Sequence, residues 1–388
     1  MTLILDVMRR AALAGTSAAL LLAPSAHAGT HTVLYSFGTG GDGSGPAATM
    51  TNVNGALYGT TVGGGAYSAG AVFKAATTGG EKLVYSLKNS ANDGAGPKSP
   101  VISVGGTFYG TTQYGGSTAC SGGCGTVFGV TSKGAETVLY QFQGGSDGAN
   151  PTAGLVNVGG TLYGTTFYGG GSSGYGTVFS ITPQGVENVL YAFKGGSDGA
   201  NPMGGLINVK GTLYGTTYTG GSSYYGTVFS LTTAGVKKTL YAFKNSSDGG
   251  YPESSLVNVG KKLYGVSLYG TNHVGTVYSL SLTGSFKKLY SFKGGLDGSE
   301  PNGGLINVGG TLYGVTWSGG STTACSGYGC GTVFSVTPQG VETVVYAFQG
   351  GSDGLNPAAG LTAINGAIYG TTASGGTYYN GTVFSVTP

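Results

Sequence analysis

The sequence has few charged residues and almost no arginine. Charged side chains make up 8% of the 388 residues, and the formal net charge is only +3. The two arginines, Arg9 and Arg10, both lie at the N-terminus. Arginine supplies planar, bidentate contacts to phosphate, and nucleic-acid-binding domains cluster basic residues on one face. The composition therefore argues against nucleic acid, and against any strongly charged partner.

Long hydrophobic runs are also missing, apart from one short run near the N-terminus. Residues 11–23 are apolar, follow the arginine pair and precede an Ala-His-Ala site that ends at residue 28. This pattern predicts a secretory signal peptide over residues 1–28, because the run is too short to span a bilayer. A membrane anchor is the alternative. No later segment resembles a membrane span, so we expect a secreted or periplasmic protein without a transmembrane segment.

Histidine and cysteine are too scarce to suggest a metal site. Only His31 and His273 follow the predicted signal peptide, and the four cysteines form two local pairs. A zinc site needs four convergent ligands, and neither cysteine pair has a histidine close in sequence. In an exported chain such pairs predict disulfides, here Cys120–Cys124 and Cys325–Cys330. We expect neither a metal nor a cofactor.

What the sequence does contain is one unit of about fifty residues, repeated seven times. Each unit has an aromatic segment such as Leu-Tyr-Gln-Phe, a Leu-Tyr-Gly-Thr-Thr segment and a Gly-Thr-Val-Phe segment. The tyrosines of the second segment are Tyr58, Tyr109, Tyr163, Tyr214, Tyr264, Tyr313 and Tyr369. A fixed period of this length is typical of folds in which each unit packs against its neighbours.

One unit, residues 154–193, contains four short runs of β-branched and aromatic residues separated by glycine, proline, asparagine and serine. Such runs predict four antiparallel strands, which together make one propeller blade, and kelch-type blades share this period. The chain after the signal peptide begins with a fourth strand and ends with a third. We therefore predict an all-β, seven-bladed propeller over residues 29–388, closed by the N-terminal strand completing the last blade.

The connections between blades share an Asp-Gly pair followed by proline. They contain all seven aspartates of the mature chain: Asp42, Asp93, Asp147, Asp198, Asp248, Asp297 and Asp353. Calcium binding is one interpretation, but each connection offers one carboxylate and calcium needs six to eight oxygens. An aspartate before glycine also suits an Asx-turn, so we interpret these residues as structural.

Aromatic residues gather in the loops between the second and third strands, on the face that carries the blade connections. Trp317 is the only tryptophan, and we take it as the leading candidate for binding a sugar ring or a protein. The other candidates in these loops are Tyr114, Tyr168, Tyr218, Tyr269 and Tyr328. Packing between blades is the alternative role for these rings.

The repeat resembles the GloVer tandem repeat of exported bacterial proteins of the choice-of-anchor type. The resemblance runs from Thr32 to Pro388 and rests on the Asp-Gly-x-Asn-Pro, Leu-Tyr-Gly-Thr-Thr and Gly-Thr-Val-Phe segments. It implies a secreted or cell-surface protein with a propeller-like repeat, and it implies no particular activity. The chain ends without the apolar, basic tail of the anchored members, so release, or association through another protein, is expected.

Three functions fit these observations. The first is a monomeric extracellular module that binds a polysaccharide or another protein through the aromatic loop face. The second is a structural scaffold without a small-molecule site. The third is a propeller glycosidase or lyase, whose candidate catalytic residues are Glu253, Glu300 and His273, because glycoside hydrolysis usually needs two carboxylates. Three further glutamates recur at one repeat position and are interpreted as solvated turn residues: Glu136, Glu187 and Glu342.

Overall fold

The protein is built almost entirely of short antiparallel strands. A computed structural model describes residues 29–38, 41–244, 248–270 and 273–388. The predicted signal peptide, residues 1–28, lies outside the described residues. Seven antiparallel sheets follow one another along the chain, as the repeat predicts, and they form a seven-bladed β-propeller. The prediction of an all-β, seven-bladed fold is confirmed.

Each blade has an inner, a second, a third and an outer strand. The inner strands contact one another around the axis; they are Thr51–Val53, Ile102–Val104, Val156–Val158, Ile207–Val209, Val257–Val259, Ile306–Val308 and Thr362–Ile364. The second strands are Ala56–Gly63, Thr107–Thr112, Thr161–Thr166, Thr212–Thr217, Lys262–Ser267, Thr311–Ser318 and Ala367–Ser374. The third strands are Ala71–Ala76, Thr126–Thr131, Thr177–Ile181, Thr227–Thr232, Thr276–Ser281, Thr332–Val336 and Thr382–Thr387.

The outer strands carry the aromatic segment of each repeat. In blades 1 to 6 they are Glu81–Ser86, Glu136–Gln141, Glu187–Ala192, Lys237–Ala242, Phe286–Ser291 and Glu342–Ala347. In blade 7 the outer strand is Thr30–Ser36, which pairs antiparallel with Thr382–Thr387. The first and last strands of the described chain therefore lie side by side in one sheet.

Short strands and 3-10 turns lie in the blade connections and in the loops between second and third strands. The additional strands are Ser44–Pro46, Gly94–Ala95, Tyr114–Gly115, Ser299–Pro301 and Leu355–Pro357. The 3-10 turns are Gly196–Asp198, Gly295–Asp297, Cys325–Gly327 and Gly351–Asp353. Ser299–Pro301 pairs with the far end of Thr311–Ser318, so the connection is held against the second strand of its own blade. The connections are thus rigid parts of the sheets.

Buried phenylalanines hold neighbouring blades together. At six of the seven junctions an aromatic ring of one outer strand meets an aromatic ring of the next blade's third strand. The pair Phe142–Phe179 is typical, with ring centroids 5.1 Å apart and planes at 69°. Both rings are almost fully buried. Leu87 takes this place at the junction of blades 1 and 2. Edge-to-face packing of this kind stabilises the pair beyond its buried area.

The same packing explains the glycine in every Leu-Tyr-Gly-Thr-Thr segment. A Cβ atom at Gly164 would lie 2.6 Å from Cζ of Phe179. A Cβ atom at the corresponding glycine of each of the other six blades would lie 2.5 to 2.8 Å from the aromatic ring of that blade's third strand. Since no real Cβ contact is so short, only glycine lets the buried ring lie flat on the second strand.

Candidate functional site

The blade connections line a central cavity on the face that carries the loops. The residue after each connecting proline lies in its wall: Ala47, Lys98, Thr152, Met203, Glu253, Asn302 and Ala358. The cavity has a volume of about 410 Å³. Proline fixes φ immediately before each of these positions, so the repeated backbone presents one side chain from each of seven blades to one space, and these side chains are of six different types. The backbone of the cavity wall is therefore regular, whereas the side chains that line it differ from blade to blade.

Aromatic rings complete the wall of this cavity. Trp317 lies in the second strand of blade 6, and Phe167 and Tyr168 directly follow the second strand of blade 3. Trp317 is half-buried, and its carbonyl accepts a hydrogen bond from Nδ2 of Asn356 at 3.1 Å. The tryptophan is thus held on a sheet, where it lines the cavity.

Three polar atoms of the wall have no hydrogen-bond partner within the described part of the chain. They are Oε1 of Gln113, Oγ1 of Thr152 and Oγ of Ser254. Buried polar groups in proteins are usually paired, and each unpaired group lowers stability. A ligand rich in hydroxyl groups offers partners of the kind these atoms lack.

Of the three predicted catalytic residues, Glu253 lines the cavity and Glu300 lies near enough to act on it electrostatically. Glu253 is half-buried in the wall, and burial raises its pKa, with a further rise from the negative charge of Glu300. Oε2 of Glu300 accepts a hydrogen bond from Oγ of Ser318 at 3.4 Å. His273 is exposed and packs edge-on against Tyr269, with ring centroids 5.8 Å apart. The structure therefore groups the two carboxylates and gives the histidine an aromatic neighbour.

The six predicted binding aromatics fall into three groups. Trp317 and Tyr168 line the cavity. Tyr218 and Tyr269 belong to a separate cluster of tyrosines between blades 4 and 5. Tyr114 and Tyr328, which are 40% and 81% exposed, do not line the cavity as far as the described residues show. Phe167 holds the repeat position of Trp317 in blade 3 and belongs to the same group of loop aromatics in the sequence, and it lines the cavity as well.

The two predicted disulfides are present in the loops of blades 2 and 6. Cys120 is bonded to Cys124 and Cys325 to Cys330. Each closes a loop of only a few residues, so the bond stiffens that loop and adds at most about 2 kcal/mol to stability by the chain-entropy argument. Disulfides of this kind suit an oxidising compartment outside the cytosol. No helix among the described residues is long and apolar enough to cross a membrane.

The seven connecting aspartates all make the same contacts. Each carboxylate accepts a hydrogen bond from the tyrosine hydroxyl of the preceding outer strand and one from a nearby backbone amide. In blade 5 these donors are Tyr290 at 2.7 Å and the amide of Lys293 at 2.6 Å, both to Asp297. The carboxylates thus tie each outer strand to the following connection. No three metal-binding side chains come together among the described residues.

The glutamates interpreted as solvated turn residues are in fact half-buried between blades. Glu136, Glu187 and Glu342 face the aspartate of the preceding connection, and Glu81 does the same. Burial, followed by the charge of that aspartate, raises the pKa to about 7 for Glu81, Glu136 and Glu187, and to about 8 for Glu342. The turn interpretation was wrong because the first residue of the outer strand points into the blade junction.

The repeat can now be compared with known families. The Gloeobacter/Verrucomicrobia repeat matches residues 22–212 and again residues 166–384. The chain belongs to this family. The GloVer resemblance is thereby confirmed. No curated protein matches the chain in sequence.

Solved structures share the fold of this Gloeobacter/Verrucomicrobia repeat protein at low sequence identity. A provisionally assigned 6-phosphogluconolactonase from Bacteroides uniformis has a TM-score of 0.54 at 16% identity, over 81% of this chain and 88% of its own. A puromycin-hydrolyzing peptidase from Mycobacterium tuberculosis has a TM-score of 0.50 at 11% identity. That match covers 88% of this chain but only 52% of the peptidase. At these identities the likeness shows the propeller fold alone.

Proposed function

We propose that this protein is an exported binding module that holds a polysaccharide in its central cavity. The observation that carries the proposal is the position of Trp317, the only tryptophan, in the wall of that cavity together with Phe167 and Tyr168. Flat aromatic faces pack against the apolar faces of sugar rings, and their polar edges bind hydroxyl groups. Blades 3 and 6 present these rings from different sides of one space.

The polar part of the wall supports the same ligand class. Gln113, Thr152 and Ser254 have side-chain oxygens without protein partners, and Lys98 and Glu253 add one charge of each sign. A hydroxyl-rich ligand can satisfy such a mixed wall without a strong electrostatic field. Export is supported by the two disulfides and by the predicted signal peptide. A passive scaffold needs none of the cavity features.

A binding screen tests this proposal. Purified protein covering residues 29–388 is passed over bacterial and plant polysaccharides, with Trp317→Ala and Tyr328→Ala as paired variants. We expect retention on at least one polysaccharide, at least about tenfold weaker for Trp317→Ala, since tenfold corresponds to about 1.4 kcal/mol. Tyr328 does not line the cavity, so Tyr328→Ala should bind like the wild type. Absence of retention on every polysaccharide would contradict the proposal.

Hydrolysis or elimination of the bound glycan is a second candidate function. It is favoured by one observation: Glu253 lines the cavity, and burial together with the charge of Glu300 raises its pKa. A carboxyl group whose pKa is raised near a second carboxylate is the arrangement of a general acid and its partner. Release of new reducing ends from a bound polysaccharide, abolished in Glu253→Gln, would establish it. Binding without such release leaves the module as a binding protein.

A further inference from the structure

The residue before the connecting proline varies around the ring, and it is glycine in blades 1 and 2, tyrosine in blade 5 and glutamate in blade 6. The residue before the connecting proline is asparagine in blades 3, 4 and 7, where its side chain bonds across the junction. Nδ2 of Asn150 donates to the carbonyl of Gln113 at 2.8 Å, and Asn201 donates to that of Phe167 at 3.0 Å. In blade 5 this residue is Tyr251, with the same left-handed backbone, φ 57°.

Tyrosine is an unfavourable choice at that position. Asparagine tolerates positive φ far better than a bulky residue does, and tyrosine cannot make the cross-junction amide bond. Backbone strain of this kind persists where the surrounding structure holds it, and it is found more often at functional sites. The substitution therefore directs attention to what the Tyr251 ring contacts.

The ring of Tyr251 lies at the centre of a tyrosine cluster. Its centroid is 5.0 Å from that of Tyr218, 5.3 Å from Tyr225 and 5.4 Å from Tyr269. The planes meet at 49°, 79° and 86°, so the Tyr251 ring packs against the other three in tilted and edge-to-face contacts rather than in a stack. All four side chains are only partly buried, on the face that carries the cavity.

The cluster adjoins the central cavity through Glu253. Burial raises the pKa of Tyr218, and the charge of Glu253 adds to this effect. Glu253 lines the cavity, and the negative charge of Glu300 contributes to its raised pKa. Neither carboxylate forms an ion pair with any residue that the structure describes. Glu253 is therefore a carboxylate without a cation that lines the cavity and acts electrostatically on the cluster, and Glu300 acts in turn on Glu253.

We propose that the cluster of Tyr218, Tyr225, Tyr251 and Tyr269 is a subsite for a sugar ring that carries an ammonium group. Glu253 and Glu300 supply the charge that such a group needs, and the tyrosine faces attract a cation directly. The neighbouring sugars of the same chain lie in the central cavity against Trp317. The ligand class is thus a glycan containing amino sugars with free amines. This inference rests on the polysaccharide function proposed above.

Variants that restore the repeat sequence test the subsite without disturbing the fold. Tyr251→Asn and Glu300→Asn each introduce asparagine directly before the connecting proline, where blades 3 and 4 have Asn150 and Asn201. Both variants should fold at least as well as the wild type, because asparagine suits positive φ. The matched control is Tyr67→Ala, which removes an exposed tyrosine from the blade 1 loop, away from the cluster.

The experiment is a calorimetric titration of each variant with oligomers of glucosamine and of N-acetylglucosamine. We expect the wild type to bind the glucosamine oligomers about tenfold more tightly, with a preference that weakens as salt is added. Tyr251→Asn and Glu300→Asn should lose the preference and keep the affinity for the acetylated oligomers, while Tyr67→Ala keeps both.

Different results overturn the two proposals separately. Equal affinity for the two oligomers, or a preference that survives in both asparagine variants, would overturn the amino-sugar subsite and leave the central cavity as a glycan site. Loss of binding to both oligomers in Trp317→Ala alone would agree with the cavity proposal. Failure of every polysaccharide and oligomer to bind the wild type would overturn the proposed function itself, and the subsite with it.

Discussion

Nζ of Lys237 lies 2.7 Å from Oδ1 of Asp198, across the junction between blades 3 and 4. Burial works against the charge of Asp198, but hydrogen bonds from Lys237, from the amide of Lys194 and from Tyr191 hold the pKa of Asp198 below its usual range. The equivalent position at four other junctions carries glutamate, and at the remaining two it carries His31 and Phe286. Equivalent junctions of one ring therefore differ in charge, and we expect them to respond differently to pH.

The four glutamate junctions predict a protein that is more stable in mild acid than in mild base. Each glutamate has a raised pKa in the folded state, about 7 or 8 against an ordinary value of 4.5. The folded chain then holds protons that the unfolded chain has lost, so stability is full below about pH 4.5 and falls as pH rises through about 7 to 8. Thermal unfolding followed by circular dichroism should give a Tm that is several degrees higher near pH 5 than near pH 8.

His31 changes the stability with pH in the direction opposite to the four glutamates. Its pKa is lowered by burial, which outweighs the attraction of Asp353, so its contribution to stability is lost as pH falls. One histidine opposes four glutamates, and the net dependence should follow the glutamates. A Tm that rises steadily from about pH 5 to about pH 8 would contradict this account.

Exchanging the charges at two junctions tests the same idea by mutation. Glu342→Lys would place an ammonium group beside Asp297, as Lys237 lies beside Asp198, and should raise the Tm near pH 8 by about 2 °C or more. The reverse change, Lys237→Glu, should lower the Tm near pH 8 and add to its dependence on pH. If both variants shift the Tm in the same direction, the junction charges do not control stability.

The repeated glycine under each buried ring predicts a steric defect. Gly164→Ala puts a methyl group 2.6 Å from Cζ of Phe179, and overpacking of this kind lowers stability by about 1 to 3 kcal/mol. Gly145→Ala is the matched control, because Gly145 is exposed and a Cβ there meets nothing within 4 Å. Chemical denaturation of both variants provides the comparison. Equal stability would show that the ring of Phe179 moves aside without strain.

Much of the fold could be predicted from the sequence because the same pattern of strands and turns recurs in seven repeats. Alternating apolar residues define the strands, and the glycine and proline positions define their ends. The pairing of Cys325 with Cys330 was also predictable, since both cysteines fall in one long loop of a chain with a predicted signal peptide. These features depend on local sequence and on a fixed period, both of which can be read without coordinates.

The site was only partly predictable, because the ring brings together residues that are distant in the sequence. Lys98 and Thr152 follow connecting prolines as Glu253 does, but a linear sequence does not show that this position faces the axis. Trp317 and Glu253 were identified because they differ from their repeat equivalents, and both line the cavity. Tyr251 differs from the repeat in the same way and was overlooked, since it lies in a connection rather than in an aromatic loop.

The central claim, that the cavity holds a glycan, is tested most directly by the fluorescence of Trp317. Because Trp317 is the only tryptophan and lines the cavity, excitation at wavelengths that tyrosine does not absorb reports on this site alone. The account predicts a saturable change in emission as an oligosaccharide is added to the wild type, and a much weaker response at the same concentrations in Glu253→Gln. Emission that stays constant with every oligosaccharide, including those retained in the binding screen, would contradict it.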